Sequence, residues 1–305
     1  MEIITDINSQ AAVDTVATIG SFDGVHRGHA AMIAEARSLA VERSLPLTVI
    51  TFTTHPRLLF KPSQQPFLLS SLEDKLSLLR HCGVDRCILL PFDRAMAALS
   101  AREFMFDILR DKLSVRLLAV GYDHRFGSPQ RGEGMQQYIE YGRSAGIEVY
   151  PMNPYLPDGV NISSSAVRRL LDAGEVTAAA DILGRNYSIC GTVVHGAALG
   201  RSIGFPTANI VLNEPMQLLP LDGVYECAVM LSGVEYRGVM NIGHKPTVGG
   251  DERTIEVFIL NFNGDIYNSN VRVEFLRRIR AERRFASLDE LRRQIEKDVA
   301  SINKI

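Results

Sequence analysis

In the N-terminal half, five short runs are apolar at nearly every position: Val16–Gly20, Leu47–Phe52, Cys87–Leu90, Leu117–Gly121 and Ile147–Tyr150. A strand that is apolar on both faces belongs in a parallel sheet covered on two sides. Between these runs the period lengthens to that of a helix. Ser100 and Glu103 stand at capping-box spacing and open a pattern carrying Phe104, Ile108 and Leu109. Ser71 precedes Leu72, Leu76 and Leu79, and Gly83 stands just past them, where a helix ends. The alternation predicts an open, doubly wound α/β domain whose ligand sits at the C-terminal ends of its strands.

Beyond Gly184 the pattern changes. Ile189–Val194, Val224–Leu231, Tyr236–Ile242, Thr254–Phe262 and Val271–Phe275 read as strands. Turn residues separate them: Asp222-Gly223, Ser232-Gly233 and Asn263-Gly264-Asp265. No helical pattern intervenes, which predicts an antiparallel barrel or sandwich. A last helix begins at Ser287, with Glu290 three residues on, and carries the stripe Leu288, Leu291, Ile295, Val299 and Ile302, which should dock on the barrel. The boundary falls near 175–186, where the predicted helix Ser165–Ala173 gives way to Gly184-Arg185-Asn186. Two domains are expected, residues 1–183 and 184–305.

Composition agrees with two globular domains. The chain has 305 residues, 46% hydrophobic and 22% charged. Lys plus Arg is 33 and Asp plus Glu is 35, a net charge of −2 that lacks the basic footprint of a dedicated nucleic-acid binder. No apolar run reaches the ~18 residues of a membrane span, and Met1–Asp6 has no basic start followed by an apolar core. Cys82, Cys87, Cys190 and Cys227 form no C-x-x-C pair, and they read as buried thiols of a reducing cytoplasm. A cytoplasmic enzyme of small molecules is expected, with no membrane or nucleic-acid partner; weak self-association is left open.

Chemistry concentrates in two places. The first strand runs into Gly20-Ser-Phe-Asp-Gly-Val-His-Arg-Gly-His29 and then a helix. A Gly-rich turn feeding a helix N-terminus presents free N–H groups and a positive dipole end to an anion. His26 and His29, three residues apart, lie on one side of the first helical turn, and Gly28 between them lets a phosphate approach the backbone. The same pair could be incidental surface residues or half of a zinc site, but no Cys or further His nearby completes a ligand set. The G-x-G-x-x-G of a dinucleotide turn is absent. Phosphate chemistry is the favoured reading.

The second place is Gly196-Ala-Ala-Leu-Gly-Arg-Ser-Ile-Gly-Phe-Pro-Thr-Ala-Asn209. Glycines at 196, 200 and 204 describe a flap over phosphates. On an extended chain Thr207 and Asn209 point the same way, and two neutral oxygens beside a triphosphate suit Mg²⁺. The bland alternative is a proline-initiated turn entering the strand Asn209–Leu212. Glu256, between Ile255 and Val257, reads alone as the solvent-facing member of an alternating strand.

The first loop resembles that of the nucleotidyltransferases, and the string from Gly20 to His29 resembles the adenylyltransferase module of bacterial FAD synthetases, the bifunctional riboflavin kinase/FMN adenylyltransferase family. Gly121-Tyr-Asp-His-Arg-Phe-Gly127 and Ile162-Ser-Ser-Ser-Ala-Val-Arg168 resemble two further elements of that module. Gly204-Phe-Pro-Thr-Ala-Asn209 resembles the hallmark of riboflavin kinases, accompanied by Asp222-Gly-Val-Tyr225, Asn241–Gly249 and Arg253–Leu260. Together the resemblances cover nearly the whole chain, in the family's order.

The resemblance implies a Rossmann-like nucleotidyltransferase domain followed by a riboflavin kinase barrel, converting riboflavin to FMN and FMN to FAD at the expense of ATP with Mg²⁺. It implies His26, His29 and Arg168 as catalytic in adenylylation, with Asp23, Gly28, Asp123, Ser163 and Ser164 on the nucleotide. His55, Pro56, Phe60, Phe104 and Phe126 match positions of the flavin pocket; each could equally be core. It implies Glu256 as the kinase base, Gly204 in the flap, and Thr207 and Asn209 as metal and phosphate ligands. The sequence departs from the family at Thr53 and Thr54, where an acid and a proline are usual, and at His124, where phenylalanine is usual. Two other readings compete with this one: a different nucleotidyltransferase with an unrelated barrel, and a flavin-sensing or nucleic-acid-binding module.

Overall fold

The computed structural model describes residues 1–8, 13–60, 67–121, 125–127, 133–157, 162–196, 200, 203–247 and 250–302. They divide into two compact units: Met1–Gln65 with Leu72–Ile162, and Pro66–Ser71 with Ser163–Ile305.

The first unit holds a six-stranded sheet of β1 (Glu2–Ile4), β2 (Thr15–Ile19), β3 (Leu47–Phe52), β4 (Arg86–Leu90), β5 (Val115–Gly121) and β6 (Glu148–Met152), in spatial order β1-β4-β3-β2-β5-β6. Every pairing is parallel. Every residue of β2 and β4 is buried, because successive side chains serve opposite faces and both faces are covered. Val16 and Leu117 enter one hydrophobic cluster with Ile33 and Leu79, while Ala17 and Leu118 enter the other with Met105 and Leu109. The sequence pattern did not reveal β1, a three-residue edge strand held beside β4 by an ion pair between Glu2 and Arg86 of 3.1 Å.

The helices of this unit are α1 (Arg27–Glu42), α2 (Pro56–Phe60), α3 (Leu72–His81), α4 (Arg94–Ala98), α5 (Ala101–Glu103) and α6 (Met135–Ala145). The expected capping box opens α5: the Glu103 N–H donates to Ser100 Oγ at 3.2 Å, and the Ser100 N–H donates to Glu103 Oε2 at 2.8 Å. The helix then widens into a π-helical segment, Phe104–Arg110, with the Asp111 N–H donating to the Phe106 carbonyl. Strand order reverses between β2 and β5, so the crevice at their C-terminal ends is where a ligand of such a sheet is expected. The turn carrying His26 and His29 leaves β2 at that crevice.

The second unit is a closed barrel of β7 (Tyr187–Val194), β8 (Ala208–Leu212), β9 (Gly223–Leu231), β10 (Val234–Thr247), β11 (Gly250–Ile259) and β12 (Asn270–Arg280), in order β10-β11-β8-β7-β12-β9. All neighbours are antiparallel. Of the two expected architectures, the barrel is the one adopted. Tyr187, Tyr225 and Phe275 fill its interior, and the Tyr187 hydroxyl donates to the Leu218 carbonyl at 2.6 Å. The C-terminal helix Leu288–Ile302 packs Val299 and Ile302 against Val224, Val239 and Leu260. Buried Asp298 receives Arg280 through both carboxylate oxygens, and Arg277 donates to the Ser301 carbonyl at 2.8 Å. The stripe starts one turn later than expected, since Leu288 remains 55% exposed.

Two further helices, α7 (Ser164–Asp172) and α8 (Val176–Leu183), group with this unit, as does Phe67–Leu69, whose backbone exchanges hydrogen bonds with Met216 and Leu218.

Candidate active sites

The turn after β2 is shaped by three residues with left-handed backbones: Phe22 (φ 48°), Gly24 (φ 79°) and Val25 (φ 37°). A β-branched valine there costs on the order of 1–3 kcal/mol and persists only when its surroundings enforce it. Phe22 and Val25 are both buried, which supplies that enforcement. Asp23, between them, is buried as well.

His26 is the N-cap of α1. Its Nδ1 accepts the His29 N–H at 3.2 Å, so a neutral His26 carries its proton on Nε2. The two imidazoles stack, with ring centroids 3.7 Å apart and planes 13° from parallel, and Phe22 meets His29 edge-on. A Cβ at position 28 would lie 3.2 Å from two atoms of the His26 ring and 3.4 Å from Ile162 Cγ2. Gly28 therefore makes room for an imidazole as well as exposing backbone.

The aromatic positions divide. Phe60 is 66% exposed on α2, near Phe92, which in turn contacts Phe52. His55 accepts the Arg57 N–H at its Nδ1, and Pro56 is the first residue of α2. Phe104 and Phe126 are 4% and 9% exposed and pack with Tyr138 in the hydrophobic core. Asp123 and His124 lie outside the described residues. Phe92 escaped the sequence reading because a lone aromatic after a strand carries no periodic signal.

Ser163, Ser164 and Arg168 belong to the second unit. Ser163 caps α7, its Oγ accepting the Ala166 N–H at 3.2 Å, and Ser164 is the first helical residue. Arg168 Nε donates to the Phe67 carbonyl at 2.8 Å, with the guanidinium 5.6 Å from the Phe67 ring.

In the barrel, Glu256 of β11 stands opposite Asn209 of β8 in direct register, and the Thr207 hydroxyl donates to Glu256 Oε2 at 3.2 Å. All three line a cavity of about 280 Å³ walled by Phe205, Phe258 and the C-terminal helix residues Leu291 and Ile295. A second cavity, of about 500 Å³, opens between Pro206 and the Asn263–Tyr267 turn. Thr207 lines both. A Cβ on Gly196 would collide with the Asn209 amide, so this glycine admits the amide; Gly204 (φ 86°) turns the chain into Phe205-Pro206-Thr207. Residues 197–199, 201 and 202 lie outside the described ones.

Glu256 accepts a hydrogen bond from a hydroxyl, stands opposite Asn209 and borders a cavity, so it is not a freely solvated member of an alternating strand.

Residues 8–166 match the model of the family described as FAD synthetase, and residues 183–305 match that described as riboflavin kinase. The chain belongs to the family of bifunctional riboflavin kinase/FMN adenylyltransferases. Members from Escherichia coli K12 and Bacillus subtilis are 41% and 35% identical, the alignments covering 98% and 93% of this chain and 96% and 90% of theirs. A Streptococcus pneumoniae crystal structure described as a macrolide-efflux protein matches with a TM-score of 0.88 and 32% identity, over 99% of this chain and 98% of that one. No helix among the described residues of the present family member is long and apolar enough to cross a membrane.

Proposed function

We propose that the barrel phosphorylates riboflavin with Glu256 as general base and that the parallel-sheet unit adenylylates FMN at the His26–His29 turn. The ribityl hydroxyl is neutral, so its attack on the γ-phosphorus of ATP benefits from a carboxylate that takes its proton as the new O–P bond forms and ADP leaves. Glu256 lines the smaller, phenylalanine-walled cavity and not the larger one. On that ground we place the flavin in the smaller space and the nucleotide in the larger, with phosphoryl transfer beside Thr207, which borders both. Glu256 opposed to Asn209, with the Thr207 hydroxyl bonded to its carboxylate, is the single observation that carries the reading.

Magnesium suits the same corner. A hydroxyl, an amide oxygen and a carboxylate are all hard oxygen donors, and Thr207 and Asn209 are the residues proposed to hold the ion. Among the described residues no three His, Cys, Asp or Glu side chains gather into a protein-only cage, in keeping with an ion that arrives on nucleotide phosphates. When bound it would neutralise charge on the transferring phosphoryl group.

FMN needs no base, because its phosphate is already ionised. It attacks the α-phosphorus of a second ATP, forming the new P–O bond as pyrophosphate leaves. What the reaction requires is neutralisation of charge on those phosphates. We assign this to His26, His29 and the N-terminus of α1, which begins at Arg27, with Asp23 and Asp123 toward the nucleotide; Arg168, Ser163 and Ser164 are proposed as phosphate contacts on their match to the family's motif alone. His55, Pro56, Phe60, Phe104 and Phe126 are proposed as the flavin pocket on their match to the family's positions.

Supplying riboflavin and Mg-ATP should yield FMN and ADP, then FAD and pyrophosphate, resolved by chromatography. Neither product appearing would favour an unrelated nucleotidyltransferase or a flavin sensor.

A further inference from the structure

Lys75, on α3, reaches the C-terminal ends of β2 and β3. Its ammonium lies 3.4 Å from the Ser21 carbonyl, 3.3 Å from the Thr51 hydroxyl and 3.1 Å from the Phe52 carbonyl. The Thr51 hydroxyl donates to the same Ser21 carbonyl at 3.2 Å. An ammonium has three protons and no acceptor, and here three acceptors surround it. This geometry grips backbone and leaves no proton for a substrate. What it grips is the entrance to the turn: Ser21 immediately precedes Phe22, and the left-handed residues Phe22, Gly24 and Val25 follow before His26.

We infer that Lys75 is a positioning residue for adenylyl transfer, tying the end of β3 to the start of the Ser21–Val25 turn and so setting where His26 and His29 stand. The inference rests on the reading of those histidines as phosphate contacts. Transition-state stabilisation by fixed donors is steep in distance, and a displacement of about 1 Å can cost about 100-fold in rate.

The grip depends on charge, since a neutral amine has two N–H donors for the two carbonyls and could hold Thr51 only by taking its hydroxyl proton away from the Ser21 carbonyl. Burial lowers the pKa of Lys75, opposed by the carboxylate of Asp23 in the turn and, more weakly, by Cys87 on β4. Burial pushes the Cys87 thiol up to about 11. Because the charged form is the competent one, FAD synthesis should fall as pH rises through the depressed lysine pKa.

The test uses the intact chain, in which riboflavin phosphorylation reports the barrel and thermal unfolding reports whether the parallel-sheet unit is folded. Lys75→Met should lower kcat for FMN to FAD by about 10- to 100-fold, with a smaller change in KM for ATP and with riboflavin phosphorylation retained. The alkaline limb of wild-type FAD synthesis should be absent in Lys75→Met and retained in Cys87→Ser, which separates the ammonium from its thiol neighbour. Lys75→Gln provides a second neutral variant should the methionine perturb folding. Unchanged kcat, parallel loss of both activities, or an alkaline limb that survives in Lys75→Met would overturn the inference. A wild-type chain that makes FMN but no FAD would instead remove the adenylylation reading beneath it.

Discussion

Glu256 and Asn209 face each other across the β8–β11 ladder, 47 positions apart in sequence and adjacent in register. Strand alternation sends Thr207 and Asn209 to one side of their segment, and closure of the barrel brings Glu256 to meet them. That corner is where the kinase chemistry is proposed to take place.

Glu256→Gln keeps the shape and removes the proton acceptor. FMN formation should fall by about 10²–10⁴-fold, the usual range for loss of a general base, while added FMN is still converted to FAD. Product analysis from riboflavin and from FMN separately makes the comparison.

His29→Ala should act in reverse. Loss of one donor to the transferring phosphates is expected to cost about 10²–10³-fold in FAD formation, with riboflavin phosphorylation kept. His26→Ala also removes an N-cap acceptor, worth about 1 kcal/mol. His26→Asn retains a capping oxygen, so it should recover thermal stability without recovering FAD synthesis.

Gly28→Ala separates helix propensity from site geometry. In an ordinary helix the change stabilises by roughly 0.5–1 kcal/mol. Here the added methyl would stand 3.2 Å from the His26 ring, so the imidazole must shift. FAD formation should drop with riboflavin phosphorylation intact; a fully active variant would show that the ring's placement is not critical.

Asp298→Ala leaves Arg280 without the carboxylate it engages through two oxygens. Asp298 is buried but Arg280 is 21% exposed, so the loss should fall toward the lower end of the about 3–5 kcal/mol expected for breaking a fully buried pair. Thermal unfolding should register the loss, and KM for riboflavin should rise, because Asp298, Leu291 and Ile295 wall the same cavity.

Magnesium dependence offers a further check. Asn209→Ala should raise the Mg²⁺ concentration needed for half-maximal FMN formation and leave that for FAD formation unchanged, as measured by titrating the ion against each reaction.

Much of this was legible in one dimension. The apolar runs of β2 to β5 announce burial on both faces; in the barrel Tyr187–Val194 buries every second residue, whereas Gly223–Leu231 is buried at all positions but Met230. The Ser100–Glu103 box formed where its spacing placed it. Motif strings located the Ser21–Val25 turn and the Thr207–Asn209 pair because backbone geometry there depends on nearby glycine and proline. Less local features stayed hidden: the three-residue β1, the π-helical Phe104–Arg110 and the late start of the C-terminal stripe. Each depends on partners distant in sequence.

The amino-acid order by itself determined the two element rhythms, the family and the candidate side chains, since strand and helix periods and short turn motifs are properties of neighbouring residues. Only the tertiary structure decided which candidates meet. It stacked His26 on His29, set Glu256 against Asn209, buried Phe104 and Phe126 while leaving Phe60 exposed, and brought Lys75 to the carbonyls of Ser21 and Phe52. Such meetings follow from strand order, barrel closure and side-chain packing, which join residues far apart along the chain.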